Sequence, residues 1–346
     1  MKKSDLARIR PFVVIVLCCL ATAAHAAKTD VVILVNGDAI TGEVKTLDFG
    51  TLNYSTDSMG TVQIDWEDIV ALQSNQSLQI EVASGTRYFG NLLPAGRLKV
   101  IAVGRGENVQ ELDLKDVVRI TTIDMDDKLW QRLEGSVSFG FDTDKASDVT
   151  NGHLNANVRY LTRTYVLNFE ITSSFTNQQE APTTEDHTYS LGYRRFRGDR
   201  WFTGWFGAAE KNDAQGIDRR LTAGGGLGRY LVQSNTNQFS LLGGLVAANE
   251  HYVGSDPNDT RAEAVVAAQY LHRRLEQAND ISLTSNIFPL ISDPSSYRWN
   301  SNLTVRQEII DDLFFDLTMY YKYQTDPPAG ANKEDYGVTT SIGYSF

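Results

Sequence analysis

From about Trp130 to its end the chain alternates apolar and polar side chains with a period of two, and no helical period interrupts it. Tyr165, Leu167, Phe169 and Ile171 oppose Asn168, Glu170 and Thr172, just as Leu313, Phe315, Leu317, Met319 and Tyr321 oppose Asp316, Thr318, Tyr320 and Lys322. Successive strand side chains point to opposite faces, so each segment has one apolar and one polar face. Twelve strands are predicted: 135–141, 154–161, 165–175, 189–196, 201–208, 221–230, 239–247, 262–271, 281–287, 299–305, 313–323 and 336–346. In the last, Tyr336, Val338, Ile342, Tyr344 and Phe346 share a face with Thr340. Gly337, Thr339, Ser341, Gly343 and Ser345 share the other.

The connections alternate in length. Those at 145–151, 178–186, 211–218, 250–259, 292–296 and 326–334 are long and rich in Gly, Pro, Asn and Asp; those at 162–164, 198–200, 234–237, 277–280 and 310–312 are tight. Long loops on one side and short turns on the other describe a 12-stranded antiparallel transmembrane β-barrel, with apolar residues toward lipid and polar ones toward the lumen. Tyr and Trp recur near strand ends, where aromatic girdles sit. The Gly224-Gly225-Gly226 and Gly243-Gly244 runs leave the inward face of the fifth to seventh strands open.

Residues 28–123 differ in character and repeat at an offset of 48. Gly37 and Gly42 match Gly85 and Gly90, Asp65 and Asp68 match Asp113 and Asp116, and Val70 and Leu72 match Val118 and Ile120. Each copy, 28–75 and 76–123, reads as strand, Asn-Gly or Ser-Gly turn, strand, hairpin and strand, the pattern of a small SH3-like or Sm-like module. One short module buries little apolar surface, so the copies are expected to pack together. Asp65, Glu67, Asp68, Asp113 and Asp116 are read as caps of turn N–H groups rather than as a cation site. Residues 124–130 form a linker, and 131–346 the barrel.

Lys2, Lys3, Arg8 and Arg10, an apolar run over 11–24 and Ala24-His25-Ala26 describe a secretory signal peptide over residues 1–26. Both cysteines, Cys18 and Cys19, fall inside it, so the mature chain folds without disulfides. Leu17 argues against acylation at Cys18. The signal carries four cations against Asp5, so its removal takes the chain from −11 to −14. That acidity excludes nucleic acid and anionic surfaces as partners.

Three segments, Asn36-Gly37-Asp38-Ala39-Ile40-Thr41-Gly42-Glu43-Val44, Gly60-Thr61-Val62-Gln63-Ile64-Asp65-Trp66 and the closing Gly343-Tyr344-Ser345-Phe346, resemble the salt-induced outer-membrane proteins of Gram-negative bacteria. The resemblance implies an outer-membrane location with both termini periplasmic and a tie to salt stress, and carries no catalytic or ligand residues. Tyr344 and Phe346 are similar to the signal read by the barrel-assembly machinery.

By parity the lumen holds Glu134, Arg159, Glu170, Arg194, Glu263, Arg306, Asp316 and Lys322, a nearly balanced set. Two readings stay open: a narrow, weakly selective diffusion pore, or a closed barrel that anchors the periplasmic domain for peptidoglycan or a protein partner. Lipid and lipopolysaccharide are the expected surroundings, and no cofactor or metal is expected. An esterase is a remote third reading. His153 has lumen parity, His187 and His251 are placed in long loops and His272 near a short turn, with no serine beside any of them on a lipid face.

Overall fold

The Asn36-Gly37 and Ser84-Gly85 turns place a glycine at positive φ, 89° and 88°, where a Cβ would be strained, and each turn starts one copy of the repeat. The computed structural model describes residues 28–105, 108–123, 133–144, 149–178, 183–254, 259–274, 279–310, 312–327 and 330–345. The proposed signal peptide, the linker and Phe346 lie outside them. The first copy gives β1 (Asp30–Leu34), β2 (Ala39–Asp48), β3 (Thr51–Thr56), β4 (Gly60–Asp65), a 3-10 turn at Trp66–Asp68 and the start of β5 (Ile69–Val82). The second gives the rest of β5, then β6 (Arg87–Leu93), β7 (Val100–Arg105), β8 (Asn108–Asp113), a 3-10 turn at Leu114–Asp116 and β9 (Val117–Thr122).

Pairing repeats with the same offset as the sequence. Val32 pairs with Leu72 and Ile80 with Ile120, while the Val35 N–H donates to the Asp68 carbonyl and the Ala83 N–H to that of Asp116. The copies are nonetheless not two separate modules. β5 runs unbroken through the 75/76 border, closing the first copy and opening the second, and β9 pairs with both β2 and β5. One nine-stranded sheet therefore wraps one core, in which Val32, Leu52, Tyr54, Trp66, Ile80 and Ile120 are buried. Each fully buried aliphatic side chain contributes about 1.5–3 kcal/mol, and the core draws such side chains from both copies. The Trp66 indole N–H donates to the carbonyl of Leu114, its own repeat equivalent, at 2.7 Å.

The turn carboxylates do not cap. Neither Asp65 nor Asp113 makes a side-chain cap bond, and the first N–H of each 3-10 turn is satisfied by backbone, Trp66 donating to Gly50 O and Leu114 to Lys99 O. Burial, helped by neighbouring Asp68, raises the Asp65 carboxyl above its usual range.

The remaining strands close a barrel in chain order: β10 (Leu133–Asp144), β11 (Val149–Leu161), β12 (Tyr165–Gln178), β13 (Thr184–Phe196), β14 (Trp201–Asn212), β15 (Ile217–Gln233), β16 (Asn237–Tyr252), β17 (Asp259–Arg274), β18 (Asn279–Pro289), β19 (Tyr297–Ile310), β20 (Leu313–Gln324) and β21 (Glu334–Ser345). β21 returns antiparallel to β10, with Phe139 opposite Ile342. Twelve antiparallel strands are what the alternation predicts. Closure removes every sheet edge, which a wall in hydrocarbon requires.

The outward residues form an apolar belt: Leu191, Trp205, Leu245 and Val338 are all more than half exposed. Strands of 11 to 17 residues exceed the roughly 9–11 that a tilted crossing needs, so several continue past the belt on the long-loop side. The glycine-rich strands resolve cleanly. Gly204, Gly226 and Gly244 face the lumen, while Gly225 lies beneath the Trp205 ring on the lipid face.

Candidate functional site

The lumen is where strand parity gathers charge, and the structure shows each charge by its partner. All eight expected residues stand on inward-facing positions. Glu134 pairs with Arg159 (2.9 Å) and Arg306 with Asp316 (2.8 Å), each across one strand boundary. Glu263 holds Arg298 at 2.7 Å, and the Arg298 guanidinium stacks 3.8 Å over the Phe288 ring. Arg194 donates to the Tyr230 hydroxyl and the Gln269 amide oxygen. Glu170 is exposed to the lumen and has no ion-pair partner among the described residues.

Other bonds cross the lumen itself. Lys322 on β20 meets Asp186 on β13 at 2.7 Å and Glu210 on β14 at 3.3 Å. Arg220 on β15 reaches Gln324 on β20 at 2.7 Å, and Asn212 on β14 reaches Asp335 on β21 at 2.9 Å. Behind them Arg220 pairs with Glu210 and Glu250, and the Glu250 side chain is completely buried. These ties form a transverse brace toward the long-loop end. They separate an open polar wall, with Asn155, Asn157, Asn168 and Glu170, from a packed one, where Val246, Val265 and Phe288 are buried in the lumen. Buried ion pairs of this kind barely stabilise by their presence, but losing one partner leaves a charge that costs about 3–5 kcal/mol.

Half of this brace escapes a reading of the sequence. Asp186 and Glu250 fall in segments expected to be loops; the structure makes both strand residues. The missed signal is parity: Asp186 continues Thr188 and Ser190, and Glu250 continues Val246 and Ala248, so both still point inward past the membrane belt.

The short-turn end of the barrel is covered by the β1–β9 domain. The β2–β3 hairpin tip reaches the lumen rim, where Asp48 accepts from Arg159 at 2.6 Å and from Arg119 at 3.0 Å. Arg119 also meets Glu81 and stacks 4.0 Å over Phe196. Burial alone would raise the Asp48 carboxyl, but Arg159 and Arg119 together overcome it and hold the group at about 2. Around the rim, the Arg87 guanidinium donates to Arg197 O (3.0 Å), Asn235 Nδ2 to Val117 O (2.9 Å), and the Arg273 guanidinium to Thr51 Oγ1 (3.2 Å). Asn53 completes the ring on Glu134 at 3.2 Å.

The histidines are scattered, with one exception. His153 lies in the lumen over Gly140 and bonds Thr340 O, and His272 bonds Asn237. His251 ends β16 rather than lying in a loop. His187, also expected in a loop, is a strand residue facing lipid, and Ser173 Oγ on β12 lies 2.8 Å from its Nδ1. The absence of such a serine, expected from sequence, does not hold, because β13 starts three residues earlier than the loop boundary allows. No group of metal-ligating side chains occurs among the described residues. Tyr344 donates to Asp312 Oδ2 on the outer surface.

No curated protein matches the chain. Solved structures similar to it include the NanC porin (10% identical, covering 62% of this chain and 98% of that one, TM-score 0.39). An outer-membrane channel of Pseudomonas putida F1 is 10% identical over 62% of this chain and 95% of that one, TM-score 0.36. The translocator domain of the autotransporter NalP of Neisseria meningitidis is 14% identical over 62% and 87%, TM-score 0.32. The family model described as "Protein of unknown function, DUF481" matches residues 137–346, the whole closed barrel but its first few residues, and the chain belongs to that family.

Proposed function

We propose that this is an outer-membrane channel held closed, with the β1–β9 domain as a periplasmic stopper. One observation carries the reading: the domain sits on the short-turn mouth through Asp48, Arg119 and Phe49, so the lumen's exit and the domain's hairpin tip occupy the same place. A barrel that only anchored its domain would need a tether, not a fitted seat. Short turns in outer-membrane barrels face the periplasm, which puts both chain ends and the domain there. A signal peptide over 1–26 supplies the export this location requires. We further read the strand pattern of each repeat as SH3-like or Sm-like, the two joined in one sheet through β5, and the resemblance to salt-induced proteins supports a role in envelope or salt stress.

Planar-bilayer conductance of the refolded mature protein, with and without residues 28–123, tests this. Closed or brief openings in the whole chain and steady openings after deletion support the stopper. Equal silence from two folded proteins excludes a channel.

A second reading, a barrel anchoring a binding domain for peptidoglycan or a periplasmic protein, is favoured by a cleft of about 400 Å³ in the second repeat. Val82, Tyr88 and Leu112 floor it, and Ser84, Arg97 and Glu111 supply polar groups.

A further inference from the structure

On the lipid-facing side of β12, β13 and β14, Ser173, His187 and Lys211 stand in one register row. Ser173 Oγ lies 2.8 Å from His187 Nδ1. The other ring nitrogen, Nε2, faces Glu185 Oε2 at 3.6 Å, and that same oxygen accepts from Lys211 Nζ at 2.5 Å. Lys211 is held in turn by Asp213 at 3.6 Å. Hydroxyl, imidazole and carboxylate thus follow one another through opposite edges of one ring. With the proton on Nε2, directed at Glu185, the Nδ1 lone pair is free to accept the Ser173 proton. That is the geometry that activates a serine nucleophile, recognised by roles rather than by order in the chain.

Position selects the substrate. Beneath the row the same face is apolar: Ile171, Tyr189 and Ala209 come next, then Phe169 and Leu191. At the row polar groups enter the face, with Glu185 beside Phe175 in the row beyond, so Ser173 stands at the long-loop rim of the lipid belt. Carboxylic esters of membrane lipids lie at this depth, between acyl chains and headgroups. Ser173 and His187 are half-buried rather than sealed, and the His187 side chain is 28% exposed.

We propose that Ser173 and His187 form a lipid acyl-ester hydrolase site on the outer wall of the barrel, acting on glycerophospholipids, with Glu185 and Lys211 as positioning residues. Ser173 Oγ attacks the ester carbonyl carbon while His187 takes its proton. The tetrahedral intermediate collapses, the bond to the glycerol oxygen breaks, and His187 returns the proton to that leaving oxygen. Water then attacks the acyl-serine, giving its proton to His187, and Ser173 is regenerated. The products are a fatty acid and a lysophospholipid. This activity is independent of the channel and of whether the lumen opens.

The test uses the whole mature chain, folded as judged by heat-modifiable mobility. A fluorophosphonate probe and fatty-acid release from phosphatidylethanolamine and phosphatidylglycerol vesicles are the readouts. The site predicts labelling at Ser173, loss of both signals in S173A and H187N, and retention of both in S174A, whose side chain faces the lumen. E185Q lowers kcat about tenfold at unchanged KM, and E185D restores part of it. A folded wild-type protein that neither takes the probe nor releases fatty acid above the S173A level overturns the proposal and reduces the row to a structural hydrogen bond.

Discussion

Lys322 and Asp186 lie five strands apart around the barrel, yet their side chains meet at 2.7 Å across its lumen. Such a contact fixes opposite walls at one separation. It also makes Lys322 the one cation that meets Asp186 among the described residues, with both side chains largely buried.

Removing the cation tests that contact. K322M leaves Asp186 without a cation, while Glu210 keeps Arg220, and is expected to destabilise the barrel by about 3–5 kcal/mol. The urea midpoint of the heat-modifiable folded form reads the loss. K322M combined with D186N recovers most of it, because the carboxylate left alone is then neutral.

Acid acts at the other end. The Asp48 carboxyl is held at about 2, below its ordinary 3.8. A depressed carboxylate contributes stability that is complete above the unfolded value and disappears as pH falls through the folded one. Stability of the folded, seated chain is therefore constant above about pH 4 and falls toward pH 2 by on the order of 2 kcal/mol, shared between Arg159 on the barrel and Arg119 on the domain. Protease protection of the domain in the full chain, followed from pH 6 to 2, shows this. D48N removes the dependence.

The glycine strands allow a sharp contrast. A Cβ on Gly226 would lie 2.2 Å from the Gly243 carbonyl oxygen, whereas one on Gly243 meets nothing within 4 Å. G226V is expected to abolish the heat-modifiable folded form, and G243V to leave it unchanged. Equal folding of the two would show that this wall adapts.

Trp66 tests the joint between the repeats. W66A empties a buried volume and leaves the Leu114 carbonyl unsatisfied, and is expected to cost the domain about 3–5 kcal/mol. Urea-dependent proteolysis of the domain in the full chain measures it. The barrel's own midpoint should not move.

The barrel was legible because a period of two, read against alternating long and short connections, leaves few folds. Lumen parity of Glu134, Arg159 and Lys322 followed directly. What sequence did not yield was pairing at a distance. Nothing local tells Lys322 that Asp186 will face it, since closure brings them together. Strand ends failed for a related reason: Asp186, His187 and Lys211 are polar like loop residues, but the sheet carries its hydrogen bonding past the lipid belt. The repeat showed its period but not the sharing of β5, which depends on where β9 lands.

The domain's seat is assembled from the turns 162–164, 197–200 and 234–237 and from Arg273 at the end of β17, contributed by separate hairpins. Those pieces come into register only when the wall has curled into a cylinder. A half-built barrel would thus lack the complete seat, and docking of the amino-terminal domain would mark a closed wall. Leakage during biogenesis and leakage from the completed protein would in consequence be separate problems, and a stopper of the kind proposed would address only the second.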